Sequence, residues 1–147
     1  MPAANISRVL GGAERAMRAL LERKLEGAKI SFPQWTVLVF AQGTASLTKQ
    51  QLTHAMIQGH VASTGLEAET AIDALAARYL LEITQDFTTN ESFYRLSASG
   101  RELFDPLRAD VAATVALVTE GLSPEDLVAA ERVLVEISQR ANEALNS

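Results

Sequence analysis

The chain has 147 residues, 48% hydrophobic and 21% charged, which is the size of one globular domain or one protomer of an oligomer and excludes a disordered polymer. Its longest apolar runs, such as Trp35 to Ala41, fall far short of the ~20 residues of a membrane span, and the N-terminus lacks the basic patch and apolar core of a signal peptide. With no cysteine there is no disulfide framework, thiolate nucleophile or cysteine-based zinc site, and a cytoplasmic protein without membrane partners is expected.

The net charge of −5 is unevenly spread. Asn5 to Lys29 holds six basic residues (Arg8, Arg15, Arg18, Arg23, Lys24, Lys29) against three acids (Glu14, Glu22, Glu26), so the remainder is acidic by eight charges. Lys and Arg supply most non-specific affinity for nucleic acid by neutralising phosphates, so the average field of this chain repels DNA.

From Ile6 to Leu25 the apolar residues recur at steps of three and four, the pattern of an amphipathic helix, with Gly27 as its expected stop. Ser31-x-x-Gln34 is a capping-box pattern and Pro33 fits a first turn, so a second, nearly all-apolar helix follows through Trp35, Val37, Leu38 and Phe40. Gly43 to Ser46 breaks the pattern, Leu47 suits a short strand, and Thr48 caps a helix through Leu52, Ala55 and Met56. Gln58 to Gly65 reads as a loop. Leu66 to Ile83 reads as a helix running into a strand, with Leu66, Ile72, Leu75 and Tyr79 on its inner face.

Phe93 to Leu96 is a second strand, which makes Thr84 to Ser92 the connection of a hairpin. That connection contains neither Gly nor Pro, so an open, flexible tip is expected rather than a tight turn. Ser97 caps a long helix through Leu103, Leu107, Val111, Val115 and Val118, kinked at Pro106 and ended by Gly121. Ser123, Pro124, Glu125 and Asp126 combine a cap, a first-turn proline and acids at the positive end of the helix dipole. The last helix carries Leu127, Ala130, Leu134, Ile137, Ala141 and Leu145 at near-heptad spacing.

The segments ISFPQWTVLVFA (30–41), LTKQQLTHAM (47–56), IDALAARYLLEI (72–83), FYRLSASGREL (93–103) and GLSPEDL (121–127) stand in the order of a winged helix-turn-helix with helical extensions. Together they resemble the MarR family of bacterial transcription regulators. The resemblance implies a mainly α fold with a β-hairpin wing: a single protomer over 1–147, with residues 1–29 and 101–147 as dimerisation helices and 30–100 as the winged helix-turn-helix lobe. It further implies a homodimer on double-stranded DNA, with the helix after the turn in the major groove and the wing on the minor groove or backbone. Its ligand-responsive members bind small aromatic or phenolic acids between the dimer helices and the DNA-binding lobe. Here that cleft would draw on Arg15, Met17, Arg18, Leu20, Trp35 and Val39, with Arg15 or Arg18 as a carboxylate partner.

Three features depart from the family pattern. The turn between the two central helices is longer by about five residues, Glu67, Ala68, Glu69 and Thr70 replace the usual Ser, Thr and Arg, and the wing tip, Asp86 to Ser92, has no basic residue. The DNA-binding set is therefore Lys49, Gln50, Gln51, Thr53, Thr70, Arg78 and Arg95 as donors, with Glu67 and Glu69 on the reading turn; a carboxylate can accept from cytosine N4. Two functions stay open: a ligand-responsive DNA-binding repressor, or a divergent scaffold with weakened DNA binding that serves as a small-molecule-binding or protein-interaction module. Trp35, Phe32, Phe40 and Met56 fit a core as well as a pocket wall. His54 and His60, six apart, read as a helix-surface and a loop residue rather than metal ligands. No catalytic motif is present, and neither enzyme activity nor a cofactor or metal is expected.

Overall fold

A computed structural model describes residues 2–147, with side chains from Asn5 onward. The elements run α1 (Pro2–Glu26), α2 (Phe32–Ala41), β1 (Leu47–Thr48), α3 (Lys49–Gln58), α4 (Gly65–Ala77), β2 (Leu81–Asp86), β3 (Glu91–Leu96), α5 (Ala98–Thr119) and α6 (Pro124–Leu145). They form two compact units, residues 1–112 and 113–147.

Side-chain caps start the helices where the residues predict. The Ser31 hydroxyl accepts from Gln34 N while Gln34 Oε1 accepts from Ser31 N, and Thr48 and Gln51 repeat this reciprocal box at α3. Ser123 accepts from Asp126 N at α6. Their ends were less legible. α1, α3 and α4 each close with a six-to-one backbone bond, from Ile30 N to Leu25 O, Val61 N to Met56 O and Leu80 N to Leu75 O. The residue before each donor, Lys29, His60 and Tyr79, is left-handed, with φ of 56°, 58° and 60°. This is the Schellman ending without its usual glycine. α1 ends at Glu26, just before Gly27 as expected, with its left-handed residue at Lys29, and Gly121, at φ 80°, follows α5. Tyr79 leaves the inner face for solvent, 79% exposed, because the left-handed turn swings it off the helix.

The sheet has the order β1-β3-β2 and is antiparallel throughout. Leu81 faces Leu96, Ile83 faces Tyr94 and Asp86 faces Glu91, so the hairpin is longer and tighter than the residues suggested. Only residues 87–90 connect the strands. Asn90 takes φ 61° in place of glycine and donates its N–H to Asp86 O at 2.7 Å. The Asp86 carboxylate accepts from Thr88 N at 2.9 Å, and Gln85 Nε2 donates to Asn90 Oδ1 at 2.6 Å. Asp and Asn side chains thus hold the turn that was expected to be open.

In the first unit, Leu25, Val37, Leu38, Leu52, Met56, Ile72, Leu75, Leu96 and Phe104 are buried together. Trp35 stacks on Phe104 with ring centroids 5.2 Å apart. Thr53 lies on α3 near the start of α4, its methyl 3.9 Å from where a Cβ on Gly65 would stand. Its hydroxyl oxygen is buried without a hydrogen-bond partner. In the second unit α6 has no buried residue, and Leu127, Val128, Val133, Leu134 and Val135 are exposed. α5 passes through Pro106 as one helix.

Two stability predictions follow from the packing. A Cβ on Gly100 would overlap the Leu80 carbonyl oxygen, so Gly100→Ala is expected to destabilise the fold by about 3 kcal/mol in urea titrations, with an unchanged midpoint counting against that contact. Thr53→Val removes an unsatisfied hydroxyl at nearly constant shape and is expected to raise stability by about 1 kcal/mol in the same measurement; a loss would mean that the hydroxyl has a partner.

Candidate nucleic-acid interface

The helix-turn-helix is built from α3 and α4, joined by the six residues 59–64. Ala62 of this connection is buried, and both Val61 N and Ala62 N donate to Met56 O, so the added length packs against the end of α3. Thr64 then caps α4 by accepting from Glu67 N at 3.2 Å, and Glu67 returns by accepting from Ser63 N at 3.0 Å. Ala68, Ala71, Ile72 and Leu75 face the core. Leu66, Glu69, Thr70 and Asp73 face solvent, Leu66 with 76% of its surface exposed. Sequence reasoning had placed Leu66 inward; capping by Thr64 rotates it out.

The nominated DNA contacts are largely committed elsewhere. Lys49 Nζ lies 2.7 Å from Asp73 Oδ1, a bond across α3 and α4 that holds the ammonium charged above its usual range. Gln51 is part of the Thr48 cap, and the Thr53 hydroxyl is buried. The Arg78 guanidinium donates to Lys29 O at 2.8 Å and Ala28 O at 3.2 Å, tying the end of α4 to the end of α1. Arg95 pairs across the hairpin with Glu82 at 3.0 Å, which strengthens its hold on its proton. Gln50, Glu69 and Thr70 are exposed, and Thr70 donates its hydroxyl to Leu66 O at 2.7 Å.

Lys49, Arg78 and Arg95 are the only Lys or Arg between residues 30 and 100, so every strong cation of the lobe has an internal partner. The wing tip offers Phe87, 90% exposed, flanked by Asp86 and Glu91. The surface is acceptor-rich with apolar points. It can receive donors, and it has no free cation in the lobe for phosphates.

The residues expected at a ligand cleft lie on α1 and α2 in different settings. Trp35 is in the core, Val39 packs on it half-buried, and Arg18 pairs with Glu14 and stands 4.9 Å over the Phe32 ring. Met17 and Arg15 are exposed and Leu20 is half-buried; the Arg15 guanidinium folds back beside Gly11. An open cavity of about 440 Å³ lies between the N-terminal turns of α2 and α4, lined by Pro33, Gln34, Leu66, Glu67, Thr70 and Ala74, with Ser31, Thr64 and Ala71 completing it. Its signal in the sequence was the pair of helix caps, Ser31 and Thr64, which set two helix starts side by side. Among the described residues no group of three or more His, Cys, Asp or Glu is placed to hold a metal ion, and no helix is long and apolar enough to cross a membrane.

No protein-family model matches the chain, and no curated protein matches by sequence. Solved structures do match. A MarR family protein from Bacillus stearothermophilus superposes with a TM-score of 0.77 at 20% identity, covering 95% of each chain. MepR, a transcription regulator of the Staphylococcus aureus multidrug efflux pump MepA, gives 0.71 at 18% identity over 92% of this chain and 97% of its own. BpsR of Bordetella bronchiseptica, whose DNA binding is regulated by 6-hydroxynicotinic acid, gives 0.69 at 19% identity over 90% and 92%. A six-helix chain with a three-stranded antiparallel sheet in this order has the winged helix-turn-helix fold of the MarR family of transcription regulators.

Proposed function

We propose that this protein is a cytoplasmic transcription regulator, a ligand-responsive repressor that binds double-stranded DNA as a homodimer, one α4 per half-site. The observation that carries this reading is α4 itself: anchored along Ala68, Ala71, Ile72 and Leu75, it presents Leu66, Glu69 and Thr70 outward from a helix-turn-helix on a regulator fold. Support for the homodimer is the exposed apolar surface of the terminal helices, Ile6 and Val9 in α1, Leu117 and Val118 in α5, and Val128 and Leu134 in α6. A helix of 22 residues with nothing buried gains its stability from a partner surface, and two-fold pairing of residues 1–29 and 101–147 supplies one. Support for ligand control is the cavity touching Leu66, Glu67 and Thr70, since an occupant there bears directly on the reading turn; a small aromatic or phenolic molecule fits its largely apolar wall. Arg15 and Arg18 remain candidate partners for an acidic effector.

A second reading is favoured by the internal pairing of Lys49, Arg78 and Arg95: a scaffold with weakened DNA binding that recruits a protein or holds a small molecule. The two readings differ in one titration. Sedimentation is expected to give twice the 15.8 kDa chain mass. Fluorescence anisotropy with fragments from upstream of the protein's own gene is expected to show binding at low salt, with a log–log salt slope well below the roughly 6–10 of a phosphate-dominated regulator. No binding to any such fragment at low salt would overturn the regulator reading in favour of the second.

A further inference from the structure

The three acids on α4 are not equivalent. Glu67 is occupied by Ser63 N and Asp73 by Lys49. Glu69 has no hydrogen bond or ion pair among the described residues and contributes only weakly to the field at Lys49. Thr70, beside it, spends its hydroxyl proton on Leu66 O, so its remaining lone pairs can only accept. Leu66 is one turn earlier on the same exposed side. The outward surface of the first two turns of α4 therefore consists of acceptors around one apolar side chain.

The major groove offers few complements to such a surface. Its donors are the amino groups of cytosine N4 and adenine N6, and its apolar point is the thymine methyl. On its own base adenine N6 adjoins the N7 acceptor, which repels a carboxylate, whereas cytosine N4 adjoins only the C5–H. Guanine, with O6 and N7, offers acceptors alone. Resting on the DNA-binding reading above, we propose that Glu69 is the base-reading residue of α4, accepting a hydrogen bond from cytosine N4, and that Leu66 packs on a neighbouring thymine methyl. This gives the acidic helix a positive role in sequence choice: it selects a C-and-T-bearing strand and rejects guanine at the read position.

The test is selection from a random duplex pool at low salt with the full-length wild type, Glu69→Gln, Glu69→Ala and Leu66→Ala. Both positions are exposed, and circular dichroism checks that each variant folds. The wild type is expected to enrich cytosine at one position of each half-site. Glu69→Ala should lose that preference by roughly tenfold, and Glu69→Gln should move it to adenine, because an amide both donates to N7 and accepts from N6. Replacing the adjacent dT by dU should weaken wild-type binding by about threefold and leave Leu66→Ala unaffected. Unchanged base preferences in both Glu69 variants would overturn the inference while leaving the regulator reading intact. Failure of the folded wild type to enrich any sequence would overturn both and point to a basic protein segment as the partner of this acidic surface.

Discussion

The lobe depends on the junction at Leu80, Ser97 and Gly100. The Leu80 carbonyl accepts from Ser97 N at 3.1 Å, the Ser97 hydroxyl donates to Tyr79 O at 2.6 Å and accepts from Gly100 N at 2.9 Å, and Gly100 lies against the same carbonyl. Four events of the chain, the end of α4, the start of β2, the end of β3 and the start of α5, are thereby brought to one point. Because neighbouring β2 and β3 residues are paired in register, Leu81 with Leu96 through Asp86 with Glu91, fixing this point also fixes the hairpin. The wing is held at its base by a helix cap and at its tip by Asp86 and Asn90.

Charge follows a different logic from packing. Lys49 with Asp73 and Arg95 with Glu82 are solvent-exposed pairs that add little to stability. Their effect is on the surface charge: each cation is neutralised at short range by its own neighbour. Arg78 is spent on two carbonyls at the end of α1, where a fork of donors satisfies backbone acceptors left open by the helix terminus. Affinity for a polyanion and specificity for its bases are separable quantities: the internal pairs lower the charge available for the first, while the outward face of α4 stays exposed.

Much of this was legible in the residues. The capping box at Ser31, the cap at Thr48, the cap and proline at Ser123 and Pro124, and the segment IDALAARYLLEI placed the elements in order, because local hydrogen-bond chemistry and apolar spacing are written in short stretches. The hairpin tip was misjudged since Asn and Asp can do the work of glycine, and composition alone does not show which side chains will close a turn. Site residues were harder still. Whether Lys49 or Arg78 is free depends on partners 24 and 50 positions away, Asp73 and Ala28, and spacing carries no record of such pairings. Leu66 was misplaced for a related reason: its outward turn depends on where α4 is capped, and the lengthened connection left that register open.

Lys29, His60 and Tyr79 each hold a left-handed backbone that glycine adopts without steric cost. These three helix ends therefore each carry a small, separate strain outside the first turns of α4. Such a chain has not exhausted its stability: it has headroom at its helix ends, in places where a change need not touch the surface of Leu66, Glu69 and Thr70. In evolutionary terms that reserve is tolerance, the margin within which a reading helix can drift through unusual residues, acids among them, while its scaffold stays folded.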